Sequence, residues 1–95
     1  MTIEALTNSD AICVLFDGCP TCNPRDSKYL DNCRTRAQQT HRRLYAIPSG
    51  SQIATLIRTI AKNQGQPIKY PMILINGTIK YEPQDITTNN ERIIQ

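Results

Sequence analysis

The chain has 95 residues, 39% of them hydrophobic and 20% charged, with four cysteines and a formal net charge of +3. That length suits one domain spanning residues 1–95 that buries about 60% of its unfolded surface, so folding requires neither a disulfide staple nor a metal. No apolar run approaches the ~20 residues of a membrane span, and Met1 to Asp10 lacks the basic start and long apolar core of a cleavable leader, so a cytoplasmic, reducing setting is expected.

Thr2 to Leu6 sets Ile3 and Leu6 on one side and reads as a short helix or arm, broken by Thr7-Asn8-Ser9-Asp10. Ala11 to Phe16 is a continuous apolar run between polar neighbours, the pattern of a central strand covered on both faces. It leads into Gly18-Cys19-Pro20-Thr21-Cys22, after which two helix starts compete. If the helix begins at the motif, Pro20 sits in its first turn at no cost, but Pro24 deletes a hydrogen bond about one turn in. If Asn23 is the cap, Pro24 takes the first helical position and Asp26 meets the positive end of the dipole. The expectation is a compromise, an initial turn at the motif and a kink or short break at Pro24. Beyond it, Leu30, Cys33 and Ala37 share one helical face. The basic cluster of Arg34, Arg36, His41, Arg42 and Arg43 surrounds the helix end, where cations suit the dipole. No aromatic residues interleave with it, so a solvated helix end is expected rather than a nucleic-acid surface.

Leu44 to Ile47 reads as the next strand, stopped by Pro48-Ser49-Gly50. Ser49 or Ser51 then caps a helix through about Asn63, with Ile53, Leu56, Ile57 and Ile60 in one stripe and Gly65 as the stop. Pro71 to Ile75 is a strand, Asn76-Gly77 a hairpin turn, and Thr78 to Tyr81 the returning strand, ended by Pro83. Thr88 with Glu91 resembles a capping box opening a last short helix. Strand, crossover helix and parallel strand, closed by an antiparallel hairpin, predict an α/β domain whose four-stranded mixed sheet carries helices on both faces.

Two thiols two residues apart at the end of a strand can close a small disulfide at a molecular edge. Exchange chemistry requires one of them to be an accessible thiolate. In a reducing setting such a pair is more often catalytic or metal-binding than structural. Zinc needs four ligands, and beyond the pair only Cys33 and the lone His41 offer themselves, so redox chemistry is the expected use. Cys13 and Cys33 fall on apolar faces and are expected to be small core residues.

The element order, the Gly18-Cys19-Pro20-Thr21-Cys22 motif, Gly65-Gln66-Pro67-Ile68 and the strand-opening Tyr70-Pro71 together resemble a glutaredoxin of the thioredoxin superfamily. The likeness covers Ala11 to the carboxyl end and is similar to that of small bacteriophage glutaredoxins or thioredoxins. It implies a thioredoxin-like, glutaredoxin-type three-layer fold. It implies a disulfide oxidoreductase with Cys19 as nucleophile and Cys22 as resolving thiol, whose nucleophile lies between ~3.5 and ~7.5 in known sites of this kind. Pro71 matches the family's cis-proline, placing the backbone of Tyr70 beside the reactive sulfur; Pro20, Thr21 and Lys69 complete the implied substrate contacts. The implied partner is a disulfide-containing protein such as ribonucleotide reductase, or glutathione. The implied reductant is glutathione or thioredoxin reductase, with no bound cofactor or metal and a monomeric chain.

Two single residues and two pairs depart from that family. Phe16 replaces a basic residue that meets a glutathione carboxylate, and Thr21 replaces an aromatic residue. Lys69-Tyr70 replaces a threonine-valine pair, and Tyr81-Glu82 stands where two glycines let the γ-glutamyl group approach; Asp85 matches the acidic position that follows. Arg25, Lys28, Lys69 and Lys80 are available to replace the lost positive charge. The alternative function is a redox-inert binding module of the same fold that uses the Cys19 loop with Tyr70 and Tyr81 as its partner surface.

Overall fold

The structure is a computed structural model and describes residues 11–86. The expected arm at Thr2 to Leu6 and the helix opened by Thr88 and Glu91 lie outside these residues. Within them the chain forms β1 (Ala11–Phe16), α1 (Pro24–Gln39), β2 (Arg43–Pro48), α2 (Gln52–Asn63), β3 (Met72–Ile75), β4 (Thr78–Lys80) and a 3-10 turn at Pro83–Asp85. The 3-10 turn was not expected from the sequence, where Pro83 served only to end a strand. β3 begins after Pro71 rather than at it, in keeping with a residue that has no N–H to give a ladder.

The sheet order is β2-β1-β3-β4. β1 pairs in parallel with β2, from Ala11 opposite Arg43 to Phe16 opposite Pro48. β3 runs antiparallel to β1, with Val14 opposite Ile73, and β4 returns antiparallel to β3 through Asn76 and Gly77. Both turn residues have positive φ, 55° and 73°, the conformation that an Asn-Gly hairpin supplies at least steric cost.

Alternation along β1 builds two cores. Ile12, Val14 and Phe16 pack with Leu30, Cys33 and Ala37 of α1, while Cys13 and Leu15 pack with Ala54, Ile57 and Ala61 of α2. The sheet therefore lies between one helix on each face, which is why β1 is apolar at every position and fully buried. Ile73 and Ile75 serve the first core, Met72 and Leu74 the second.

The helix ends are set by local chemistry. Asn23 caps α1, its side-chain carbonyl accepting from the Arg25 N–H at 2.9 Å, with Pro24 in the first turn. Ser51, not Ser49, caps α2 by accepting from Ala54 N–H. At the far end of α2 the N–H groups of Gly65 and Gln66 return to the carbonyls of Lys62 and Ala61, and Gly65 takes φ +70°. α1 closes the same way through His41 and Arg42, whose N–H groups reach Gln38 and Ala37. Among the described residues no helix is long and apolar enough to cross a membrane.

Candidate functional site

Cys19 and Cys22 sit in an exposed turn between the end of β1 and the start of α1. The turn is closed by Cys22 N–H donating to the Cys19 carbonyl at 3.2 Å, and the two sulfurs form a disulfide with Cα atoms 5.3 Å apart. The motif thus makes its own turn and α1 starts afresh at Pro24, so the expected compromise resolves into two separate units joined at Asn23. Asn23 takes the first free N–H of the helix. The cysteines lie just before that cap rather than inside the first helical turn.

The Thr21 hydroxyl lies 3.2 Å from Cys19 Sγ. A disulfide sulfur carries no hydrogen, so threonine is the donor here. The same bond aimed at a thiolate would favour its charged form. The other two cysteines, Cys13 and Cys33, are buried and outside the disulfide. Burial pushes the Cys13 thiol up to about 11 and the Cys33 thiol up to about 12. Exposure therefore separates the cysteines into an accessible pair and two core residues, as the positions of Cys13 and Cys33 on apolar faces predict. His41 is exposed beyond α1, and among the described residues no three His, Cys, Asp or Glu side chains converge as metal ligands.

Clefts surround the disulfide. One of about 450 Å³ runs between Gly18, Cys19 and Pro20 on one side and Ile47, Pro48 and Ser49 on the other. A second, about 370 Å³, joins Cys19 and Cys22 to Asp17, Arg25 and Asp26. Those last three also line a small cleft of about 100 Å³ with Phe16, Tyr70 and Pro71. The Tyr70–Pro71 bond is cis. Tyr70 and Pro71 thus reach the disulfide region through a shared Arg25 and Asp17 wall. Lys69 is placed elsewhere, its ammonium 5.2 Å from the centroid of the Tyr81 ring.

Phe16 is not a surface residue in this site. It is 1% exposed and meets Tyr29 edge-on with ring centroids 6.0 Å apart, so the last residue of β1 belongs to the α1 core. Tyr81 is fixed at both ends, its hydroxyl donating to the Pro67 carbonyl at 2.7 Å and its own carbonyl accepting from Tyr29.

No family model, no curated protein and no solved structure matches the chain. Asp17, Ser49 and Arg58 also belong to this region, and none of them carries a motif in the sequence. Ser49 donates its hydroxyl to the Asp17 carbonyl at 3.2 Å, and Arg58 of α2 donates to the Ser49 carbonyl at 3.1 Å and to the Tyr70 hydroxyl at 3.3 Å. A basic residue beside the apolar stripe of α2 was visible in sequence. Its partners lie 9 and 12 positions away, and nothing local pointed to them.

Proposed function

We propose that this chain is a glutaredoxin-like thiol-disulfide oxidoreductase of thioredoxin-type fold. The observation that carries the reading is the exposed Cys19–Cys22 disulfide at the end of the central strand, with the Thr21 hydroxyl on Cys19, while the other two cysteines are buried. The closed disulfide corresponds to the oxidised enzyme. After reduction by an external thiol, the Cys19 thiolate attacks one sulfur of a substrate disulfide, forming a mixed disulfide and expelling the other sulfur as a thiolate. Cys22, deprotonated, then attacks Cys19 Sγ, releases the second substrate thiol and restores the Cys19–Cys22 bond. Two electrons pass from the protein dithiol to the substrate.

A protein disulfide fits this site better than glutathione as its main substrate. Phe16 is committed to the core, Tyr81 is held by two hydrogen bonds, and Lys69 is engaged over its ring, so the positions that would grip a tripeptide are otherwise occupied. The apolar cleft beside Cys19 suits a chain segment flanking the target cysteine. A cytoplasmic setting, with glutathione or thioredoxin reductase as the source of electrons, belongs to the same proposal.

The test uses Cys19→Ser, which should abolish insulin disulfide reduction, and Cys22→Ser, which should trap a covalent mixed disulfide with the substrate. If Cys22→Ser traps nothing and the wild-type disulfide has a potential far below the roughly −200 to −270 mV of working glutaredoxins and thioredoxins, the pair stays closed and the chain is a binding module instead.

A further inference from the structure

Three loops meet near the disulfide: the segment leaving β1 at Asp17 and the β2–α2 connection at Ser49 and Gly50, which line clefts with Cys19, and the Tyr70-Pro71 segment ahead of β3, which shares Asp17 and Arg25 with one of them. They come from distant parts of the chain, and a single run of hydrogen bonds joins them. Ser49 Oγ donates to the Asp17 carbonyl, and the Ser49 carbonyl accepts from Arg58 Nη1. The same Nη1 donates to the Tyr70 hydroxyl. Nη1 carries two hydrogens, so this one nitrogen serves both loops with nothing left over. Arg58 Nη2, bonded to Thr55 Oγ1 at 3.4 Å, holds the plane of the guanidinium on α2.

The arrangement is unusual for a cation. Arg58 is half-buried, yet among the described residues its bonds go to one carbonyl and two hydroxyl oxygens and no carboxylate pairs with it. A charged donor makes each of these bonds stronger than a neutral donor would, and a planar group with donors in fixed directions sets the distance between what it holds. α2 is anchored in the second core by Ala54, Ile57 and Ala61, so the guanidinium projects from a rigid base.

We infer that Arg58 is a positioning residue of the site: it holds the Ser49 wall of the Cys19 cleft against α2 and Tyr70, and so sets the shape of the cleft in which a substrate chain meets the disulfide. Arg58 does not touch the reacting sulfurs. Its loss should therefore weaken substrate docking while leaving exchange at sulfur little changed, which separates KM from kcat. The consequence for turnover rests on the redox function proposed above; the coupling of the two loops does not.

The experiment compares the full chain with Arg58→Met, Tyr70→Phe and the double variant. In insulin reduction, Arg58→Met is expected to raise KM about tenfold with little change in kcat, the lower end of what a charge-assisted hydrogen bond contributes net of solvation. Tyr70→Phe should raise KM less, and the double variant should match Arg58→Met, since both changes break the same link. In amide hydrogen exchange on the oxidised proteins, Arg58→Met should speed exchange at Ser49 to Ser51 and at Tyr70 together, with β1 unchanged. The inference is overturned if exchange rises only around residues 55–58, or if an active Arg58→Met protein keeps the wild-type KM. A wild-type chain that reduces no insulin would count against the redox reading, and hydrogen exchange would still decide the role of Arg58.

Discussion

Tyr29 of α1 donates its hydroxyl to the backbone carbonyl of Tyr81, 52 residues further on. The bond ties the helix that follows the disulfide to the segment leaving β4, and the Tyr29 ring stands edge-on to Phe16 beneath it. Burial is the main reason the Tyr29 phenol is held well above its ordinary range, so it remains a donor throughout the working pH range. Tyr29→Phe keeps the ring and removes the donor. It is expected to cost about 1–2 kcal/mol, because a half-buried carbonyl is left without its partner. A urea melt of the two proteins measures this, and an unchanged midpoint would mean that water replaces the bond at no cost.

The buried thiols give a pH signature. At pH 8 Cys13 and Cys33, raised to about 11 and about 12, remain protonated as well as shielded. Iodoacetamide added to the reduced native protein should label Cys19 and Cys22 alone, whereas in denaturant all four cysteines react. Labelling of Cys33 at the rate of Cys19 would contradict this.

The same shifts act on stability. Both folded-state values lie above the ordinary thiol value of 9.0, so the folded chain holds its protons more tightly than the unfolded chain. Their contribution is complete below pH 9 and is lost as the pH climbs through 11 and 12. Unfolding midpoints should fall between pH 9 and pH 11, and Cys33→Ala should flatten part of that fall. A Cys33→Ala protein with the wild-type slope would assign the alkaline loss to other groups.

Thr21 offers a test of the thiolate itself. In the reduced protein its hydroxyl is placed to donate to the Cys19 thiolate, and Thr21→Val removes the donor with little change of shape. The thiolate absorbance near 240 nm should then titrate at higher pH, and alkylation of Cys19 at pH 7 should slow. Superimposable titrations would show that the hydroxyl serves only the oxidised state.

His41 ends α1 in the left-handed region at φ +57°, the position that glycine fills after α2. His41→Gly removes the steric cost of a side chain there and is expected to raise stability by about 0.5–1 kcal/mol, read as a higher melting temperature. A lower melting temperature would mean that the entropy glycine adds to the unfolded chain outweighs the relief.

Much of this architecture is legible along the chain because it depends on neighbours in sequence. Ala11 to Phe16 is apolar at every position, and only a strand covered on both sides accommodates that. Asn76-Gly77 has few conformations open to it other than the tight turn it makes. Ser51 and Gly65 bracket α2 through bonds that span three to five residues. The start of α1 was harder, since Pro20 and Pro24 each suit a first turn. The Asn23 side chain settles it by claiming the Arg25 N–H. The 3-10 turn at Pro83–Asp85 was overlooked although it has local support, with Pro83 in its first turn and the Asp85 carboxylate accepting from the Glu82 N–H; burial of Ile86 in the α1 core adds a contact between segments far apart in the chain.

By itself, the sequence determined that a close pair of cysteines follows a buried strand, because spacing and hydrophobicity are properties of consecutive residues. Tertiary structure alone decided what stands around that pair. Phe16 turns into the α1 core, Lys69 goes to Tyr81, and Asp17, Ser49, Arg58 and Tyr70 meet in one hydrogen-bonded run. Those contacts join four separate segments, and their geometry exists only once β1, β2, α2 and the approach to β3 have packed together.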